Sequence, residues 1–243
     1  MSKIHFITYA NSTYENSRKR IIQEALNFGA FDHIEGFTPE TLSPTFKNKH
    51  RQVLNEKKGG GYWIWKYHII YEALSKLNDN DFLVYADAGC SFNIHGKKRF
   101  FEYLKLLDES EHGVLSFQLT HLERCWTAKK VLEHFNVSQN NDILDSGQYM
   151  ATVIFLQKNK HSMEFAKTLS DLPSDLFIDV KNKDNEDKSF KDHRHDQSVG
   201  SVYRKLFGSV VLNDETFELI NGRRVPFGTG KNTHWPIWAT RKK

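Results

Sequence analysis

Two aspartates occupy positions where a carboxylate can do chemistry. Asp87 directly follows the apolar run Phe82 to Ala86, and Asp196 lies in the segment HRHDQS (His193 to Ser198), just before a helical pattern. A carboxylate at such a position can hold a divalent metal, bind a sugar hydroxyl or accept a proton. The alternative functions are capping, of a turn by Asp87 and of a helix by Asp196. The residues alone leave both interpretations open.

Other polar and aromatic residues beside predicted elements extend the candidate set. The segment ILDSGQYM leads into a predicted strand with three short polar residues, Asp145, Ser146 and Gln148. The segment ERCWT places Trp126 and Thr127 before a predicted helix. Polar side chains of this kind bind hydroxyl-rich ligands, and an indole stacks on a sugar ring. The alternatives are an ordinary turn and a core tryptophan.

Basic residues and one histidine in the last part of the chain are further candidates. In HWPIW, His234 is either a metal ligand or a surface histidine. Lys231, His234 and Arg241 are candidates for contacting a diphosphate. The end of the chain, Arg241 to Lys243, is either a solvated terminus or a weak membrane-surface patch. His193, His195 and Asp196 lack the spacing of a zinc hydrolase array.

Composition limits the classes of protein to consider. The chain has 243 residues, 39% of them hydrophobic and 26% charged, which is typical of a globular protein with one large domain. A net charge of +4 is too small to indicate a nucleic-acid partner, but it suits a phosphate-bearing ligand or an anionic membrane surface. The two cysteines show no disulfide or zinc spacing, and neither a membrane-length apolar run nor a signal-peptide core is present. We therefore expect a cytoplasmic protein.

Predicted strands and helices alternate through the first two thirds of the chain. This order predicts an α/β fold, a single domain over residues 1–243 with a mostly parallel central sheet flanked by helices. Ligands of such sheets bind beyond the carboxyl ends of the strands, which selects Thr8 to Ser12 and Asp87 to Asn93 as site loops. The charged segment 178–195 is predicted to be a loop or lid, and residues 226–243 a tail without periodicity that folds near the site.

Five motifs, taken in order, resemble a family of bacterial capsule and lipopolysaccharide glycosyltransferases with a GT-A-type, Rossmann-like fold. They are GYWIWK, LVYADAGC, WT-x-K, SGQ and HRHDQS, and the resemblance covers Phe46 to Leu206. It implies transfer of a hexose from a nucleotide-sugar donor, UDP-linked, to a saccharide or lipid-linked saccharide acceptor. The process implied is surface polysaccharide biosynthesis, in the cytoplasm and at the inner face of the membrane.

The resemblance also assigns roles to residues near the donor. In GT-A enzymes a D-x-D motif holds Mn²⁺ or Mg²⁺ on the diphosphate, and the metal offsets the charge of the leaving nucleotide. Asp87 matches the first acid, whereas Gly89 stands at the second, so that His234 is the candidate to complete the metal site. The resemblance places the donor beside the remaining residues of this group, which are Thr8, Tyr9, Ala10, Lys66 and Ala88. For Lys66 the alternative is a solvated lysine on a helix face.

For the sugar and the acceptor, the resemblance points to the later motifs. Asp196 and Gln197 match an acid-Gln segment that lies near the anomeric carbon, and this dipeptide favours a retaining reaction. The sugar or acceptor pocket is assigned to Trp126, Thr127, Asp145, Ser146, Gln148 and His195.

Two other classes of protein remain open at this point. A non-catalytic carbohydrate-binding module is compatible with the aromatic content of 13%. A sugar nucleotidyltransferase would need a glycine-rich phosphate loop after the first strand, and TYANSTYENSRKR contains no glycine.

Overall fold

The computed structural model describes residues 2–221, 223–227, 229 and 231–242. Its strands, in chain order, are β1 (Ile4–Tyr9), β2 (His33–Phe37), β3 (Phe82–Ala86), β4 (Ser91–Phe92), β5 (Val114–Leu122), β6 (Gly147–Tyr149), β7 (Val153–Gln157), β8 (Val210–Asn213), β9 (Leu219–Ile220), β10 (Arg223–Arg224) and β11 (Ile237–Trp238). Its helices are α1 (Glu15–Phe28), α2 (Pro44–Lys49), α3 (Arg51–Leu54), α4 (Gly59–Tyr62), α5 (Trp65–Ser75), α6 (Lys97–Asp108), α7 (Glu123–Trp126), α8 (Lys129–His134), α9 (Asn141–Leu144), α10 (Lys160–Asp171) and α11 (Asp196–Phe207).

The central sheet has the strand order β2-β1-β3-β7-β5-β6, with β8 also paired to β5. Strand β1 is parallel to β2 and β3, and β5 is parallel to β8. Strand β7, however, is antiparallel to both β3 and β5, and β6 is antiparallel to β5. The fold is α/β, as predicted, but its sheet is mixed rather than mostly parallel. The difference arises because β7 lies between β3 and β5 and runs opposite to both, while β6 precedes β7 in the same direction along β5.

Apolar side chains alternate between the two faces of the sheet. In β3, Leu83 and Tyr85 belong to one core and Phe82, Val84 and Ala86 to the other. The first core packs against α5, α10 and α11, and the second against α1 and α6. This alternation follows from the two-residue period of a strand. Because helices cover both faces, β3 is apolar throughout, which is why its sequence is a continuous hydrophobic run.

The entry to α5 is a left-handed turn, which we call the glycine turn, formed by residues 59–63. All five residues have positive φ: Gly59 61°, Gly60 57°, Gly61 95°, Tyr62 54° and Trp63 58°. A Cβ on Gly59 would lie 2.4 Å from the Trp63 ring, so a side chain does not fit there. The sequence pattern predicts a helix from Trp63, but the right-handed helix begins at Trp65 because the glycine turn precedes it.

The C-terminal tail packs against the loop that follows β3. Strand β11 pairs with β4, and Asn93 Nδ2 donates hydrogen bonds to the carbonyls of Thr233 (2.6 Å) and Trp235 (2.9 Å). The backbone N–H of Lys242 then donates to the carbonyl of Gly89 (3.0 Å). This pairing brings the basic end of the tail to the carboxyl end of β3. Gly228, Gly230 and Lys243, which belong to the predicted tail, lie outside the described residues.

The charged segment 178–195 contains no helix or strand. Its last part packs on α7, where the N–H groups of Lys191 and Arg194 donate to the carbonyls of Cys125 (2.8 Å) and Trp126 (3.1 Å). Among the helices of the described chain, none has the length and apolar composition needed to cross a bilayer.

Candidate active site

A cavity of about 670 Å³ lies at the carboxyl ends of β1 and β3. Its walls come from the residues after these two strands, the glycine turn, the link between β6 and β7, the segment leading into α11, and the tail. The position agrees with the general location of ligands at the edge of an α/β sheet. The long separation of these segments in the chain means that the fold, and not one local motif, builds the cavity.

Lys66 joins the two candidate acids in the cavity wall. Its Nζ lies 2.5 Å from Asp196 Oδ2 and 3.1 Å from Asp87 Oδ1, and it donates to the carbonyl of Ala151 at 3.0 Å. The Lys66 side chain is only 2% exposed. The carbonyl of Ala151 is available because the predicted strand Gln148–Gln157 is interrupted between β6 and β7. The Lys66 ammonium therefore lies close to three oxygens, and Lys66 is a buried member of the site rather than a solvated lysine.

Burial and charge set the protonation of this cluster. Burial raises the pKa of Asp196 to about 6, and the charge of Asp87 acts in the same direction, while Lys66 opposes both. Burial alone would lower the pKa of Lys66, but Asp196 and Asp87 together raise it above its usual range. Lys66 thus stays charged, and Asp196 can gain or lose a proton near neutral pH. Although Asp196 Oδ2 is close to Nζ, it accepts no well-aligned hydrogen bond.

Asp87 is held from the other side by a tyrosine of the same strand. The hydroxyl of Tyr85 donates to Asp87 Oδ1 at 2.5 Å, so this one oxygen contacts both Tyr85 and Lys66. The side chain of Asp87 is 32% exposed. Its orientation is therefore fixed through Oδ1, while Oδ2 remains for a ligand.

Aromatic rings form another wall of the cavity. The rings of Tyr9 and Trp65 stack with centroids 3.6 Å apart, and Trp65 Nε1 donates to the carbonyl of Gly59 at 2.9 Å. The glycine turn thus fixes Trp65 against the end of β1. A ring pair of this kind offers an apolar surface to a flat or cyclic ligand.

A buried hydrogen-bond network behind the cavity sets the orientation of Gln197. The Glu123 carboxylate, which pairs with Lys205 at 3.0 Å, can only accept, so Gln148 turns its Nε2 toward it (3.3 Å). Gln148 Oε1 then faces Gln197 and accepts from its Nε2 at 2.7 Å. The remaining amide atom of Gln197, Oε1, is the one left for a ligand. Gln148 also donates to Thr127 (2.9 Å) and Ser198 (3.2 Å).

His195 occupies a strained position at the start of α11. Its φ of 49° and ψ of −121° are unusual for a residue with a side chain, and such positions concentrate at functional sites. Its Nδ1 donates to the carbonyl of Phe177 at 2.7 Å, and its ring lies against Tyr62 (5.2 Å) and Trp63 (5.3 Å). Burial lowers the pKa of His195 below its usual range, so the neutral ring is favoured.

The structure brings most of the predicted donor residues together with both predicted catalytic residues and one predicted pocket residue, His195. Those that line the cavity are Tyr9, Ala10, Lys66, Asp87, Ala88, Gly89, His195, Asp196 and Gln197. Thr8 does not: it is fully buried in β1, one residue before the cavity begins. Because successive residues of a strand point to opposite faces, a run such as Thr8 to Ala10 cannot place every side chain in one pocket.

Five predicted sugar or acceptor residues lie outside the cavity lining. Thr127 and Gln148 are buried in the network behind it, Asp145 pairs with Arg124 (2.5 Å), and Ser146 accepts from Lys205 (2.7 Å). Trp126 carries the guanidinium of Arg194 on its ring, 4.1 Å from the centroid. Gln148 and Trp126 thus contact cavity residues from behind, whereas the partners of Asp145 and Ser146 lie outside the lining.

Several cavity residues were missed as individual candidates, some of them inside the quoted motifs. Trp65 belongs to GYWIWK and Arg194 to HRHDQS. The sequence therefore identified both motifs, but it did not predict that these two side chains point into the cavity. His121, which stacks on Trp126 at 5.4 Å, carried no sequence signal.

The donor set at Asp87 does not fit a divalent metal. The described residues contain no group of three or more His, Cys, Asp or Glu side chains that could hold one. One oxygen of Asp87 is occupied by Tyr85 and Lys66, and Gly89 supplies no ligand. His234 is exposed, and its ring centroid lies 6.4 Å from that of Trp235. It is close enough to Glu102 on α6 to contribute to the lowered pKa of that carboxyl, and it does not belong to the cavity lining. The predicted pairing of Asp87 with His234 is therefore corrected: β11 anchors the HWPIW segment beside β4 and α6.

Comparisons with known proteins give likeness of fold only. No family model and no curated protein sequence matches this chain. Among solved structures it is similar to a glycosyltransferase involved in the glycosylation of the major capsid of PBCV-1, with 14% identity, a TM-score of 0.49 and coverage of 88% of this chain and 83% of that chain. It is also similar to mouse xyloside xylosyltransferase 1, with 7% identity, a TM-score of 0.49 and coverage of 86% of this chain and 84% of that chain. A third similar structure is the galactosyltransferase LgtC in complex with donor and acceptor sugar analogs, with 11% identity, a TM-score of 0.43 and coverage of 87% of this chain and 74% of that chain. At such values the function has to be argued from the site itself.

Proposed function

We propose that the protein is a glycosyltransferase that moves a hexose from a UDP-linked sugar to a saccharide or lipid-linked saccharide. The observation that carries the proposal is the cluster of Lys66, Asp87 and Asp196 in one cavity at the carboxyl edge of the sheet. A carbohydrate-binding module has no need of a buried ion-paired carboxylate with a pKa near neutrality, whereas a group-transfer site does.

Each cavity wall has a role in this proposal. The stacked rings of Tyr9 and Trp65 support the nucleoside, and the free oxygen of Asp87 binds a donor hydroxyl. Asp196 and Gln197 Oε1 face the anomeric carbon and stabilise the positive charge that develops on the sugar. We place the reaction in the cytoplasm, at the inner face of the membrane, as part of surface polysaccharide synthesis.

The transfer conserves charge and atoms as follows. The bond between the anomeric carbon and the diphosphate oxygen breaks, and its electron pair leaves with the nucleoside diphosphate. The acceptor hydroxyl oxygen forms the new bond to the same carbon, and in a retaining reaction its proton passes to the departing diphosphate. In an inverting reaction Asp196 would take this proton. Retention is proposed because Asp196 is ion-paired with Lys66 and Gln197 presents a carbonyl oxygen.

A thermal-shift screen tests the proposal. Nucleotide-sugars bearing UDP or GDP should raise the melting temperature, since a ligand that binds only the folded state stabilises it, and free sugars should not. Asp87→Asn should reduce this shift, whereas Asp79→Asn, in an exposed turn, should not. A shift with free saccharides alone would support the carbohydrate-binding module instead, and no shift with any nucleotide-sugar would contradict the proposal.

A further inference from the structure

We infer that the guanidinium groups of Arg194 and Arg241, and not a divalent metal, hold the diphosphate of the donor. This inference rests on the proposed function and specifies how its donor is bound. It starts from the mismatch between the cavity and a metal: Asp87 offers a single free oxygen, and glycine stands at the second acid position.

The structure gives a physical reason for that glycine. A Cβ on Gly89 would lie 3.3 Å from the Cα of Arg241 and 3.6 Å from the carbonyl oxygen of Lys242, both backbone atoms. The Gly89 carbonyl accepts from the N–H of Lys242 (3.0 Å) and from Thr240 Oγ1 (2.8 Å). The tail therefore runs directly over the position of the second acid. A side chain at position 89 would be tight against this backbone, so an aspartate there would require the tail to shift by a few tenths of an ångström.

The same tail segment supplies cationic side chains to the space it closes. Arg241 and Lys242 both line the cavity, and Arg241 adopts a φ of 56°, a strained conformation for a residue with a side chain. The hydrogen bonds to Gly89 on either side of Arg241 hold it there. An arginine therefore lies beside Gly89, where the D-x-D motif would have its second carboxylate.

Arg194 is a second arginine in the lining of the same cavity. Its guanidinium carbon lies over the ring of Trp126, 4.1 Å from the centroid, and its Nε is buried without a hydrogen-bond partner. Burial lowers the pKa of Arg194, and the charge of Arg241 adds to this while Asp192 opposes it. Two arginines that line one cavity, one of them with a buried donor that has no partner, suit an anion bound between them.

The remaining charges of the cavity lining favour the same ligand. The lining holds six lysine and arginine residues against three carboxylates. Lys66 neutralises part of the charge of Asp87 and Asp196, and Lys58 pairs with Asp179 at 2.6 Å. Arg194, Arg241, Lys57 and Lys242 are then set against Asp192 alone. A diphosphate supplies the negative charge that balances them.

Calorimetric titration of the full chain with uridine diphosphate, in chelator and in Mn²⁺, tests the inference. We expect the same Kd in both buffers, and a Kd raised about tenfold or more by Arg241→Gln and by Arg194→Gln, the usual effect of losing a charged hydrogen bond. The matched control Arg223→Gln, on β10 outside the cavity, should leave the Kd unchanged.

Each other outcome is decisive. Binding that requires Mn²⁺, or a Kd that neither arginine substitution alters, overturns the inference but leaves the proposed function standing. Guanosine diphosphate, titrated in parallel, tests whether the donor carries guanine instead of uracil. If neither nucleotide binds in either buffer, the proposed function and the inference both fail.

Discussion

Lys66 is the residue of the site that contacts both candidate acids. Its three contacts connect the end of β3, the start of α11 and the link between β6 and β7. No local sequence rule decides whether a lysine at the start of a helix points inward. The acids were predictable because each follows or opens an element, whereas the hydrogen bond of Lys66 to Ala151 depends on the break after Tyr149 that exposes this carbonyl.

Substitution of Lys66 should be costly for the folded state. Lys66→Met leaves the carboxylates of Asp87 and Asp196 without their cation, so we expect a loss of about 3–5 kcal/mol in the free energy of unfolding at pH 7. Urea denaturation measures it. The control Lys160→Met, at a side chain that is 89% exposed, should change stability by less than about 0.5 kcal/mol. Equal stability of the two variants would show that the ion pairs contribute nothing net.

A buried histidine should make stability depend on pH. His193 Nε2 donates to the carbonyl of Leu176 (2.9 Å), and its Nδ1 accepts from the N–H of Ala128 (3.3 Å), which requires the neutral ring. Burial lowers the pKa of His193 to about 3. Its contribution is therefore complete above the unfolded-state pKa near 6.5 and declines as the pH falls toward 3.

The measurement compares wild type with His193→Gln, which cannot take up this proton. Between pH 6.5 and 4, the unfolding free energy of wild type should fall more steeply, by up to about 1.4 kcal/mol per pH unit. His134→Gln, at an exposed position on α8, is the control and should follow the wild-type slope. Parallel slopes for wild type and His193→Gln would contradict the prediction.

Among the elements, the glycine turn joins the architecture to the site. It positions Trp65 under Tyr9 and starts α5, which carries Lys66 inward. Three consecutive glycines predict an irregular backbone, but they do not predict that Tyr62 and Trp63 also have positive φ. Left-handed conformation costs a residue with a side chain about 1–2 kcal/mol, so surrounding contacts must hold this turn.

Two alanine substitutions separate backbone strain from steric exclusion in the glycine turn. Gly60 and Gly61 both have positive φ, but a Cβ on Gly60 meets ordinary contacts at 3.7 Å, whereas one on Gly61 would lie 2.9 Å from the Cα of Leu54. Gly60→Ala should cost about 1 kcal/mol, and Gly61→Ala at least about 1 kcal/mol more. Urea denaturation of both variants checks this. Equal losses would mean that α3 can move away from the turn.

At the scale of the whole molecule, the sequence predicts a sheet covered by helices better than it predicts the order and direction of the strands. The alternation of predicted strands and helices was sufficient for the α/β class, since the apolar patterns that mark these elements follow from burial on one or two faces. The antiparallel insertion of β7 depends on which strands meet, and that is decided by tertiary packing. The placement of the tail over Gly89 depends on β4 and β11, two-residue strands with no periodicity to detect.

This placement also explains why the site could be predicted only in part. Residues at strand ends, such as Asp87 and Tyr9, follow from a rule about sheets. Arg194 and Arg241 become neighbours only when the tail and the segment before α11 fold against the same sheet edge. The resemblance implies a metal held by two acids. In the structure, the backbone of the tail packs against Gly89, which stands at the position of the second acid.

The most direct test of the central claim is the release of nucleoside diphosphate from a panel of UDP- and GDP-sugars by the purified protein. We predict release from at least one donor, and a loss of about a hundredfold or more in rate for Asp196→Asn and Gln197→Ala, the range expected when a charge-stabilising group is removed. Calorimetric titration with nucleoside diphosphate should show that both variants still bind it. Absence of release from every donor, or release by both variants at the wild-type rate, would contradict the account.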